Sequence, residues 1–386
     1  MNSHIIVIIG CGLSGMLTAL AFAHQGFKVT IIESKCTKDV KFLDDNRTTA
    51  LTDASKEFLG KIAIWVYLEK IVGVISDIYV LDNKSPRDIH FSSAQVEHNP
   101  MGYIIENSKL KKLLLSKVVS NNLITLIDNC VYKNFESFSD YCSVNLSDDE
   151  LTNIRCDLLV LCEGYNSKIR QTYFTELIKK SYDQIALTFN VSHQRSHEST
   201  AIEHFTDTGP FAILPLQNVY ESSVVWTLDI EKANILYKLP IVEFQYVVQQ
   251  NFGNFLGNIS ITTEISAHRL KAYLTQNYFY QRIVLVADSA HIIHPLAGQG
   301  LNMGIKDINT LVDLTKIIGI NQGMLQKYQQ RRKLDNKLMY LITDNLNNIF
   351  HNQSNLIKKL RKFGFILIEN LITVKTSLIK YAMGRR

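Results

Sequence analysis

Three glycines near the start of the chain have the spacing of a dinucleotide-binding turn. Gly10, Gly12 and Gly15 form a G-x-G-x-x-G pattern between two apolar runs, and Glu33 follows the next apolar run. In such a turn the first glycine permits the tight bend, the second lets a pyrophosphate approach the backbone, and the third allows close helix–strand packing. A carboxylate at the position of Glu33 can accept a hydrogen bond from a ribose hydroxyl. The pattern predicts a bound dinucleotide without choosing between NAD and FAD.

A second glycine-rich segment follows Asp288 and runs through His294, Pro295 and the loop at 296–304. The pattern indicates a strand that ends in a carboxylate, followed by a loop that opens a helix. Backbone N–H groups in such a loop can face electron-rich atoms, and the N1–C2=O edge of a flavin is one candidate. From the residues alone, an ordinary loop with a helix cap explains the segment equally well.

Two histidine pairs have spacings that could suit a metal, His193-x3-His197 and His291-x2-His294. Neither pair has a convincing third ligand, so we predict no metal site. His294 fits better as a side chain that lines a cofactor pocket and handles a proton, although a structural capping role fits it as well. The six cysteines include no C-x-x-C pair, which favours a reducing, cytoplasmic compartment without structural disulfides.

The elements that must position these residues alternate between strand and helix at the start of the chain. IIVII at 5–9 reads as a buried strand, a helix follows from about residue 14, and 27–32 reads as a second strand, which together form a βαβ unit. Further helices are predicted at 53–70 and 108–119, and further buried strands at 157–162 and 282–287.

The middle of the chain has short strand-like runs separated by turn signals, at 185–191, 201–205, 211–214 and 223–228. This spacing predicts an antiparallel sheet that is inserted into the first lobe. From about residue 303 the pattern is helical. The predicted fold class is α/β, with a discontinuous Rossmann-like FAD-binding lobe, an inserted antiparallel-sheet substrate lobe and a helical C-terminus. The predicted divisions are 1–75, 101–180 and 276–320 for the FAD-binding domain, 76–100 and 181–275 for the substrate lobe, and 321–386 for a helical region with a basic tail.

Composition excludes several classes of protein. Of 386 residues, 46% are hydrophobic and 20% are charged, which is ordinary globular usage and excludes global disorder. The net charge of +5 is a property of the tail, because residues 357–386 hold eight Lys or Arg and one Glu, or +7, which leaves −2 for the rest. Nucleic-acid binding normally needs basic charge on the folded body, so we predict no nucleic-acid partner.

The tail at 357–386 alternates apolar residues with lysines. It fits a basic amphipathic helix on an anionic membrane surface, and it also fits a C-terminal helix docked on the protein with a solvated basic face. The uncharged run at 5–23 is long enough to span a bilayer, but its glycines and its β-branched start indicate a strand–turn–helix instead.

The segment VADSAHIIHPLAGQGLNMGIKD at 286–307 resembles the FAD-binding segment of the ubiquinone-biosynthesis hydroxylases, the UbiH-like branch of class A flavin monooxygenases. Other stretches that match the family, in its order, are 47–51, 102–108, 209–216 and 382–384. HPLAGQGLN is a specific motif, whereas G-x-G-x-x-G is not. The resemblance covers essentially the whole chain.

The resemblance implies a role for particular residues. Gly10, Gly12, Gly15 and Glu33 would hold the ADP half of FAD. Arg47 would lie near the pyrophosphate and the flavin, and Asp288 near the ribityl chain. The remaining cofactor contacts would come from Gly298, Gln299, Gly300, Leu301 and Asn302, with the last three at the N1–O2 edge of the flavin. Pro295 would border the reacting face, beside His294.

For the substrate, aromatic and apolar residues of the middle sheet could wall an apolar cavity, although core packing explains any single one of them as well. These residues are Phe205, Phe211, Leu214, Pro215 and Trp226, of which we predict Phe211, Leu214 and Pro215 as substrate contacts.

The resemblance also implies an activity. NAD(P)H, or a separate reductase, would reduce the flavin, O2 would add at its C4a atom, and the distal oxygen of that hydroperoxide would go to the ring of a polyprenylated phenol. The implied partners are that phenol, O2 and a ubiquinone-biosynthesis assembly. The implied location is the cytoplasm, peripheral to the inner face of a bacterial cytoplasmic membrane.

Two departures from the family keep other readings open. Glu163 precedes Gly164 where the family usually has Asp-Gly, and Ala287 precedes Asp288 where it usually has Gly-Asp. Both changes favour a second hypothesis, a non-catalytic scaffold of the same fold in a biosynthetic assembly. A third hypothesis is a soluble monooxygenase that acts on phenols without a prenyl chain.

Overall fold

The computed structural model describes residues 4–82, 89–96, 100–146, 153–296, 298–351, 354, 360–361, 364, 368 and 371–384. The helices are α1 Leu13–His24, α2 Val40–Leu43, α3 Asp53–Lys61, α4 Trp65–Leu68, α5 Asn107–Val119, α6 Lys168–Tyr173, α7 Ile230–Tyr237, α8 Ile241–Phe252, α9 Gly300–Ile318, α10 Gln322–His351 and α11 Ile372–Ala382. Short 3-10 turns lie at Ser93–Gln95, Gly164–Asn166 and Ala287–Ser289.

The strands, in chain order, are β1 Ile5–Ile9, β2 Lys28–Ile32, β3 Thr48–Leu51, β4 Gly73–Ile75, β5 Asp77–Asp82, β6 Ile89–Ser92, β7 Gly102–Glu106, β8 Ile124–Ile127, β9 Tyr132–Ser137, β10 Cys142–Leu146, β11 Asn153–Cys156, β12 Leu158–Leu161, β13 Leu177–His193, β14 Thr200–Thr206, β15 Gly209–Pro215, β16 Glu221–Asp229, β17 Ile259–Ile261, β18 Ser266–Thr275, β19 Phe279–Tyr280, β20 Ile283–Leu285 and β21 His291–Ile292.

A six-stranded sheet with the order β19-β20-β12-β1-β2-β8 forms the first lobe, and all of its strands except β19 are parallel. β1 is central, and its residues 6–8 are fully buried because helices cover both faces of a parallel sheet. β2 lies on one side of β1 and β12 on the other, so chain connections leave in opposite directions at this point. Ligands of open α/β sheets bind at the carboxyl edge of such a switch point.

A nine-stranded sheet forms the second lobe, in the order β21-β18-β13-β16-β15-β14-β5-β6, with β17 paired to β13. Every pairing is antiparallel except that of β14 with β5. One face, called here the outer face, packs Phe189, Phe211 and Trp226 against Phe244 and neighbouring residues of α8. The opposite, inner face turns toward the first lobe. The predicted fold class, two lobes with a helical C-terminus, is confirmed.

Several element boundaries differ from the prediction for local reasons. The predicted helix at 53–70 is two helices, because Ala63 has a left-handed backbone angle, φ 57°, between α3 and α4. β13 is longer than the predicted 185–191 strand, since its first part pairs with β18 through a register shift near residue 181. α9 begins at Gly300, three residues before the predicted start of helix, so the glycine-rich loop supplies its N-terminus.

The C-terminal segment packs on the body of the protein. Ile379 and Met383 are buried against Ile104 and neighbouring residues, and the Met383 carbonyl accepts a hydrogen bond from Ala54 N–H at 3.2 Å. The basic tail predicted at 357–386 lies partly outside the described residues. These residues exclude the Lys pair at 358–359 and the Arg pair at 385–386. Within the described part of the chain, no helix is both long and apolar enough to cross a membrane.

Candidate functional site

The glycine turn at the end of β1 combines close packing with one open position. Gly10 has φ 99°, and a Cβ there would lie 2.7 Å from the Cys162 carbonyl oxygen. A Cβ on Gly15 would lie 1.9 Å from the Gly10 carbonyl oxygen, whereas a Cβ on Gly12 would meet nothing within 4 Å. Gly10 and Gly15 are therefore needed for packing. Gly12, at the N-terminus of α1, leaves the helix end open to an anionic ligand.

Glu33 is held directly against this turn. Its Oε2 accepts a hydrogen bond from the Cys11 N–H at 2.7 Å, and its Oε1 accepts one from the Lys35 N–H at 3.0 Å. Oε1 also accepts from Ser34 Oγ at 3.2 Å, which leaves Oε2 as the oxygen that can accept a further bond. The geometry therefore fits a carboxylate that orients a ribose beside the open N-terminus of α1.

Asp288 lies in a turn that faces the glycine turn across the cleft. The preceding Ala287 has φ 54°, and a Cβ on Gly304 would lie 2.6 Å from the Ala287 methyl group, so glycine at 304 makes room for alanine at 287. The Gly164 N–H donates to Ser289 Oγ at 3.0 Å, which joins the turn after β12 to this one. The Asp288 carboxyl is open to the cleft yet surrounded by protein. This desolvation raises its pKa, while His291 and Arg47 nearby act to lower it.

A buried charge network stands behind the Asp288 turn. Asp307 on α9 accepts hydrogen bonds from His291 Nε2 at 2.6 Å, Arg332 Nε at 2.7 Å and the Ala287 N–H at 3.1 Å. Burial acts to raise the pKa of Asp307, but the charges of His291 and Arg332 outweigh it and hold this pKa well below its usual value. Sequence reasoning missed Asp307 and Arg332. The only feature of the sequence that pointed to Asp307 was its position as the last residue of the 286–307 segment.

The loop before α9 is held by side chains whose hydrogen-bonding groups are paired within the protein. His294 is buried, its Nδ1 accepts from the Leu296 N–H at 3.3 Å, and its Nε2 donates to Gln184 Oε1 at 3.3 Å. Burial lowers the pKa of His294 to about 4, so the ring is neutral at neutral pH. Pro295, the next residue, is exposed. The arrangement fits the capping role of His294 better than that of a proton handler.

The glycines and Asn302 of the same loop join it to β3. Gly298 has φ 60°, and a Cβ there would approach the Ala50 methyl group to 3.1 Å. The Asn302 side chain donates to the Ala50 carbonyl at 2.8 Å and accepts from the Thr52 N–H at 3.0 Å. A Cβ on Gly300 would meet nothing within 4 Å, so the N-terminus of α9 is open like that of α1. Gln299 is the N-cap residue of α9, and Leu301 packs on the first-lobe core.

Arg47 extends into the cleft from the start of β3. Its Nε and Nη2 donate to the two carboxylate oxygens of Asp45 at 2.8 and 2.6 Å, and Asn107 Nδ2 donates to Asp45 at 3.2 Å. The Asp45 carboxylate raises the pKa of Arg47, whose side chain is still 54% exposed. A fixed, exposed cation here suits a phosphate or a flavin edge.

Polar atoms on the inner face of the second sheet indicate a ligand. Thr188 Oγ1, Asn190 Oδ1 and His268 Nε2 are buried and have no hydrogen-bond partner within the described chain. Burial and the nearby Arg47 cation lower the pKa of His268, which places this ring on the Arg47 side of the cleft. Buried polar groups are normally satisfied, so orphaned atoms beside an open cleft fit a polar ligand that would pair with them.

The structure separates the three predicted substrate residues. Side chains alternate along a strand, so Phe211 and Pro215 of β15 share the outer face with Ile213, while Leu214 lies on the inner face. Phe211 is fully buried between Trp226 and Phe252. Strand parity turns Phe211 and Pro215 away from the inner face, so this placement does not support the substrate contact that was predicted for them, and it stays a prediction.

The histidine pairs serve as hydrogen-bonding groups. His193 Nδ1 pairs with the Arg195 carbonyl at 2.7 Å, and His197 Nε2 with the Leu216 carbonyl at 3.0 Å. Burial lowers the pKa of both rings. Among the residues that the structure describes, no group of three or more His, Cys, Asp or Glu is arranged to hold a metal ion. All six cysteines are free.

Comparisons with known proteins agree with this geometry. The family described as FAD binding domain matches residues 3–339. The chain is 32% identical to the ubiquinone hydroxylase UbiL of Rhodospirillum rubrum, over 98% of this chain and 89% of that protein. It is 27% identical to the 3-demethoxyubiquinol 3-hydroxylase of Escherichia coli, over 98% of each chain.

Solved structures share the fold. The p-nitrophenol 4-monooxygenase PnpA of Pseudomonas putida superposes with a TM-score of 0.78 at 15% identity, covering 99% of this chain and 98% of that chain. HpxO of Klebsiella pneumoniae, solved with FAD and uric acid, superposes with a TM-score of 0.77 at 12% identity, covering 99% and 96%. The match over residues 3–339, together with the two open helix N-termini that face one cleft, shows that the chain belongs to the FAD binding domain family, and the predicted cofactor FAD is confirmed.

Proposed function

We propose that this protein is an FAD-dependent monooxygenase that hydroxylates the aromatic ring of a polyprenylated phenol in ubiquinone biosynthesis. The observation that carries the proposal is one cleft in which the open N-termini of α1 and α9, Arg47 and Asp288 face the inner face of the antiparallel sheet. The relatives named as ubiquinone hydroxylases align over nearly the whole chain, which supports the reaction class and the substrate class.

The cofactor contacts follow from the open positions of the cleft. The backbone at Gly12 and the N-terminus of α1 receive the pyrophosphate, and Glu33 orients the adenosine ribose. Arg47 and Asp288, which are close enough to influence each other's pKa, would both hold the central part of the cofactor. The backbone of Gly298, Gln299, Gly300 and Leu301 faces the flavin ring, while the Asn302 side chain holds that loop to β3. When bound and reduced by the electron donor, FAD would pass electrons to O2, and the protein would supply position and a site from which water is excluded.

Pro295 and Leu214 are the proposed residues nearest to the substrate. Pro295 is exposed at the mouth of the loop, and Leu214 is half-buried on the inner face. His294 positions Pro295, because its two ring nitrogens fix the turn at 294–296 and connect it to Gln184 of β13. In this arrangement the substrate ring would lie between the loop before α9 and the inner face of the second sheet.

The electron donor, the partners and the location follow from the same proposal. NAD(P)H, or a separate reductase, supplies electrons, and O2 is the co-substrate. The protein works in the cytoplasm, within a ubiquinone-biosynthesis assembly and against the inner face of the bacterial cytoplasmic membrane. The domain division stated above remains part of the proposal, and it is supported by β5 and β6, which lie in the second sheet although they precede β7 in sequence.

The membrane contact rests on α11 rather than on the tail's charges. Arg361 and Lys375 are buried, and Arg361 Nε lies 3.6 Å from an Asp82 carboxylate oxygen, so neither side chain reaches lipid head groups in this arrangement. α11 instead exposes four apolar side chains at helical spacing on one face. These are Leu371, Val374, Leu378 and Tyr381.

The first test is the visible absorption spectrum of the purified protein, with the released chromophore identified. Bound FAD with the spectrum of a flavoprotein is expected. The second test is deletion of the gene, which should make cells accumulate an under-hydroxylated ubiquinone precursor. Normal ubiquinone with no such precursor would contradict the proposal.

A scaffold without catalysis is the second candidate, and one observation favours it. Ala287 holds a left-handed φ of 54° next to Asp288, where the cofactor is expected to approach closely. Under this hypothesis a variant that cannot oxygenate substrate still complements the gene deletion. Under our proposal it does not complement.

A further inference from the structure

Glu203 lies on the inner face of the second sheet, the face that looks toward the cleft. Along β14 the side chain of Ile202 packs in the outer core, and Ala201 packs in the core on the inner side. Phe205 stacks on Phe350 of α10 with ring centroids 3.5 Å apart. Because side chains alternate along a strand, Glu203 shares the inner face with Ala201 and Phe205.

The neighbours of Glu203 in the sheet are small or apolar. Glu203 lies opposite Ala212 of β15 and opposite Val80 of β5, and Ala212 lies opposite Val225 of β16. Val225 packs against the core of the FAD-binding lobe. Two strand spacings place Glu203 about 10 Å from Val225, and the methyl group of Ala212 fills little of the space between them. The neighbours of Glu203 in this row therefore offer its carboxyl no polar partner.

A polar group on the same face lies at the end of this row that is nearer to the cofactor cleft. Thr188 lies opposite Val225 on β13, in the same cross-sheet row as Glu203, and its buried Oγ1 has no partner within the described chain. The row therefore runs from an orphaned hydroxyl beside the cofactor cleft, across Val225 and Ala212, to a carboxyl group.

The Glu203 carboxyl has no hydrogen bond or ion pair to any residue that the structure describes. Its side chain is half-buried, so a water-sized ligand reaches it, yet protein surrounds it and the desolvation raises its pKa to about 7. The charged groups on the adjoining elements are engaged elsewhere in the fold. Asp82 pairs with Arg361 at 3.6 Å, Lys180 pairs with Asp344 at 2.5 Å, and Lys375 Nζ lies 5.9 Å from the Phe91 ring centre.

We propose that Glu203 is the acid–base residue of the substrate cavity, whose carboxylate accepts the hydrogen bond and then the proton of the substrate's phenol hydroxyl. As the ring is oxygenated, the phenol O–H bond breaks, its proton moves to a Glu203 oxygen, and the electron pair left on oxygen increases electron density at the ring carbons. One C–O bond forms at the ring as the O–O bond of the oxygen donor breaks, and the electron pair of that bond stays on the oxygen that remains with the donor. The hydrogen at the oxygenated carbon then leaves as H⁺ to that remaining oxygen, and the Glu203 proton returns to the phenol oxygen. No proton or electron is left over. The inference rests on the proposed ring hydroxylation.

A carboxyl that titrates near neutral pH suits this task, since a general base works best when its pKa lies near the working pH. Glu203 is the protonated acid below about pH 7 and cannot accept the phenol proton there. The account therefore predicts that kcat/KM of the holoenzyme falls as the pH drops below about 7.

The experiment compares the FAD-loaded full chain with Glu203→Gln and Glu203→Asp, and with Glu243→Gln on the exposed surface of α8 as a matched control. The probes are a prenylated phenol, for turnover, and a prenylated nitrophenol, whose ionisation is followed by its visible absorbance. For Glu203→Gln we expect an unchanged FAD content and at least about a tenfold loss of hydroxylated product per reduced cofactor, equal to ~1.4 kcal/mol. In this variant kcat/KM should no longer fall as the pH drops below about 7, which is the acid limb of the pH profile. Glu203→Asp should keep the acid limb, and Glu243→Gln should match the wild type.

The nitrophenol titration gives a readout that does not depend on turnover. Bound to the wild type, the nitrophenol should ionise at a higher pH than when bound to Glu203→Gln, because the neighbouring carboxylate disfavours a second negative charge. The same ionisation in both proteins, or failure of the nitrophenol to bind the wild type, would overturn the assignment of Glu203. A wild-type shift without any hydroxylated prenylphenol would instead overturn the proposed function and leave Glu203 as a phenol-binding base.

Discussion

At the scale of single residues, the cofactor cleft depends on which glycines face protein and which face open space. A Cβ on Gly15 would collide with the Gly10 carbonyl, whereas Gly12 and Gly300 have free space where a Cβ would be. Sequence spacing predicted the whole turn, because the bend, the helix start and the strand are local features. The same spacing assigned Gly12 to the ligand and Gly10 and Gly15 to the fold, and the structure adds the Cβ distances that go with this division.

Gly12→Ala should separate these two needs. We expect it to fold with an unchanged melting temperature without FAD, because the new methyl group meets no protein atom, and to bind FAD at least about tenfold more weakly, or ~1.4 kcal/mol. FAD titration followed by flavin fluorescence measures the affinity. Gly60→Ala on α3, where a Cβ also meets nothing within 4 Å, is the control and should bind FAD normally. Equal affinities for the two variants would remove Gly12 from the pyrophosphate site.

Ala287→Gly should stabilise the protein. Alanine at φ 54° pays a steric cost that glycine avoids, so we expect a gain of about 1 kcal/mol in the free energy of unfolding, measured by urea denaturation without FAD. The control is Ala290→Gly, at φ −95°, which should destabilise the protein because the backbone there already suits alanine. A loss of stability on Ala287→Gly would show that the methyl contact with Gly304 outweighs the backbone strain.

His294 should make stability depend on pH. Its pKa is lowered to about 4 by burial, while an unfolded histidine titrates near 6.5, so the unfolded chain takes up a proton between these values and the folded chain does not. Stability contributed by the neutral ring is thus full above pH 6.5 and is lost as the pH falls toward 4, at up to about 1.4 kcal/mol per pH unit. His294→Gln should flatten this slope in denaturation curves collected across the range. His24→Gln, at the exposed end of α1, should leave it unchanged, and equal slopes for both variants would contradict the burial effect.

At the scale of elements, α10 joins the cofactor turn through the Asp307 network. Arg332 on α10, Asp307 on α9 and His291 on β21 are far apart in sequence and meet behind Asp288. The glycine-rich segment predicted that a turn and a helix lie here. No local pattern could predict the partner on α10, since that contact depends on how the two helices pack. The same holds for Phe211, because the run at 211–214 predicts a strand, whereas the face on which its side chain lies depends on how the sheet packs against α8.

Removing both partners of the network should cost less than the sum of the costs of removing each one alone. Arg332→Met leaves Asp307 buried with less compensation and should destabilise the protein by about 3–5 kcal/mol. Asp307→Asn should also destabilise the protein, because the buried Arg332 then loses the Asp307 carboxylate and, of the two ion pairs that the structure describes for it, keeps only the one with Asp335 at 2.8 Å. The double variant should lose clearly less than the sum of the two single losses, as a denaturant double-mutant cycle would measure. Additive losses would show that the two side chains do not interact.

At the scale of the whole molecule, α11 presents apolar side chains on two faces. Ile379 and Met383 dock on the protein, and a different face leaves Val374 and Leu378, together with the N-cap residue Leu371, more than one-third exposed. Sequence analysis left two alternatives for the tail, a basic amphipathic helix on an anionic membrane surface or a docked C-terminal helix with a solvated basic face. The structure buries Lys375 and Arg361, so the exposed apolar face is the feature that now carries this proposal.

Binding to lipid vesicles tests this face. We expect the full-length wild type to sediment with anionic liposomes, and the triple variant Leu371→Gln/Val374→Gln/Leu378→Gln to bind at least about tenfold more weakly, because burying each such side chain contributes about 1.5–3 kcal/mol. The control is Val242→Gln/Tyr246→Gln on the exposed face of α8, which should bind like the wild type. A wild type that ignores liposomes, or a triple variant that binds equally, would contradict the membrane contact.

The central claim is that one cleft holds FAD against a phenol ring and that one oxygen atom from O2 enters that ring. The most direct measurement is mass spectrometry of a prenylated phenol after turnover by the FAD-loaded protein with NAD(P)H, or with chemical reductant, under isotopically heavy O2. The account predicts a hydroxylated product that carries one heavy oxygen atom. Reduced and reoxidised FAD with unchanged phenol, or a product whose new oxygen comes from water, would contradict it.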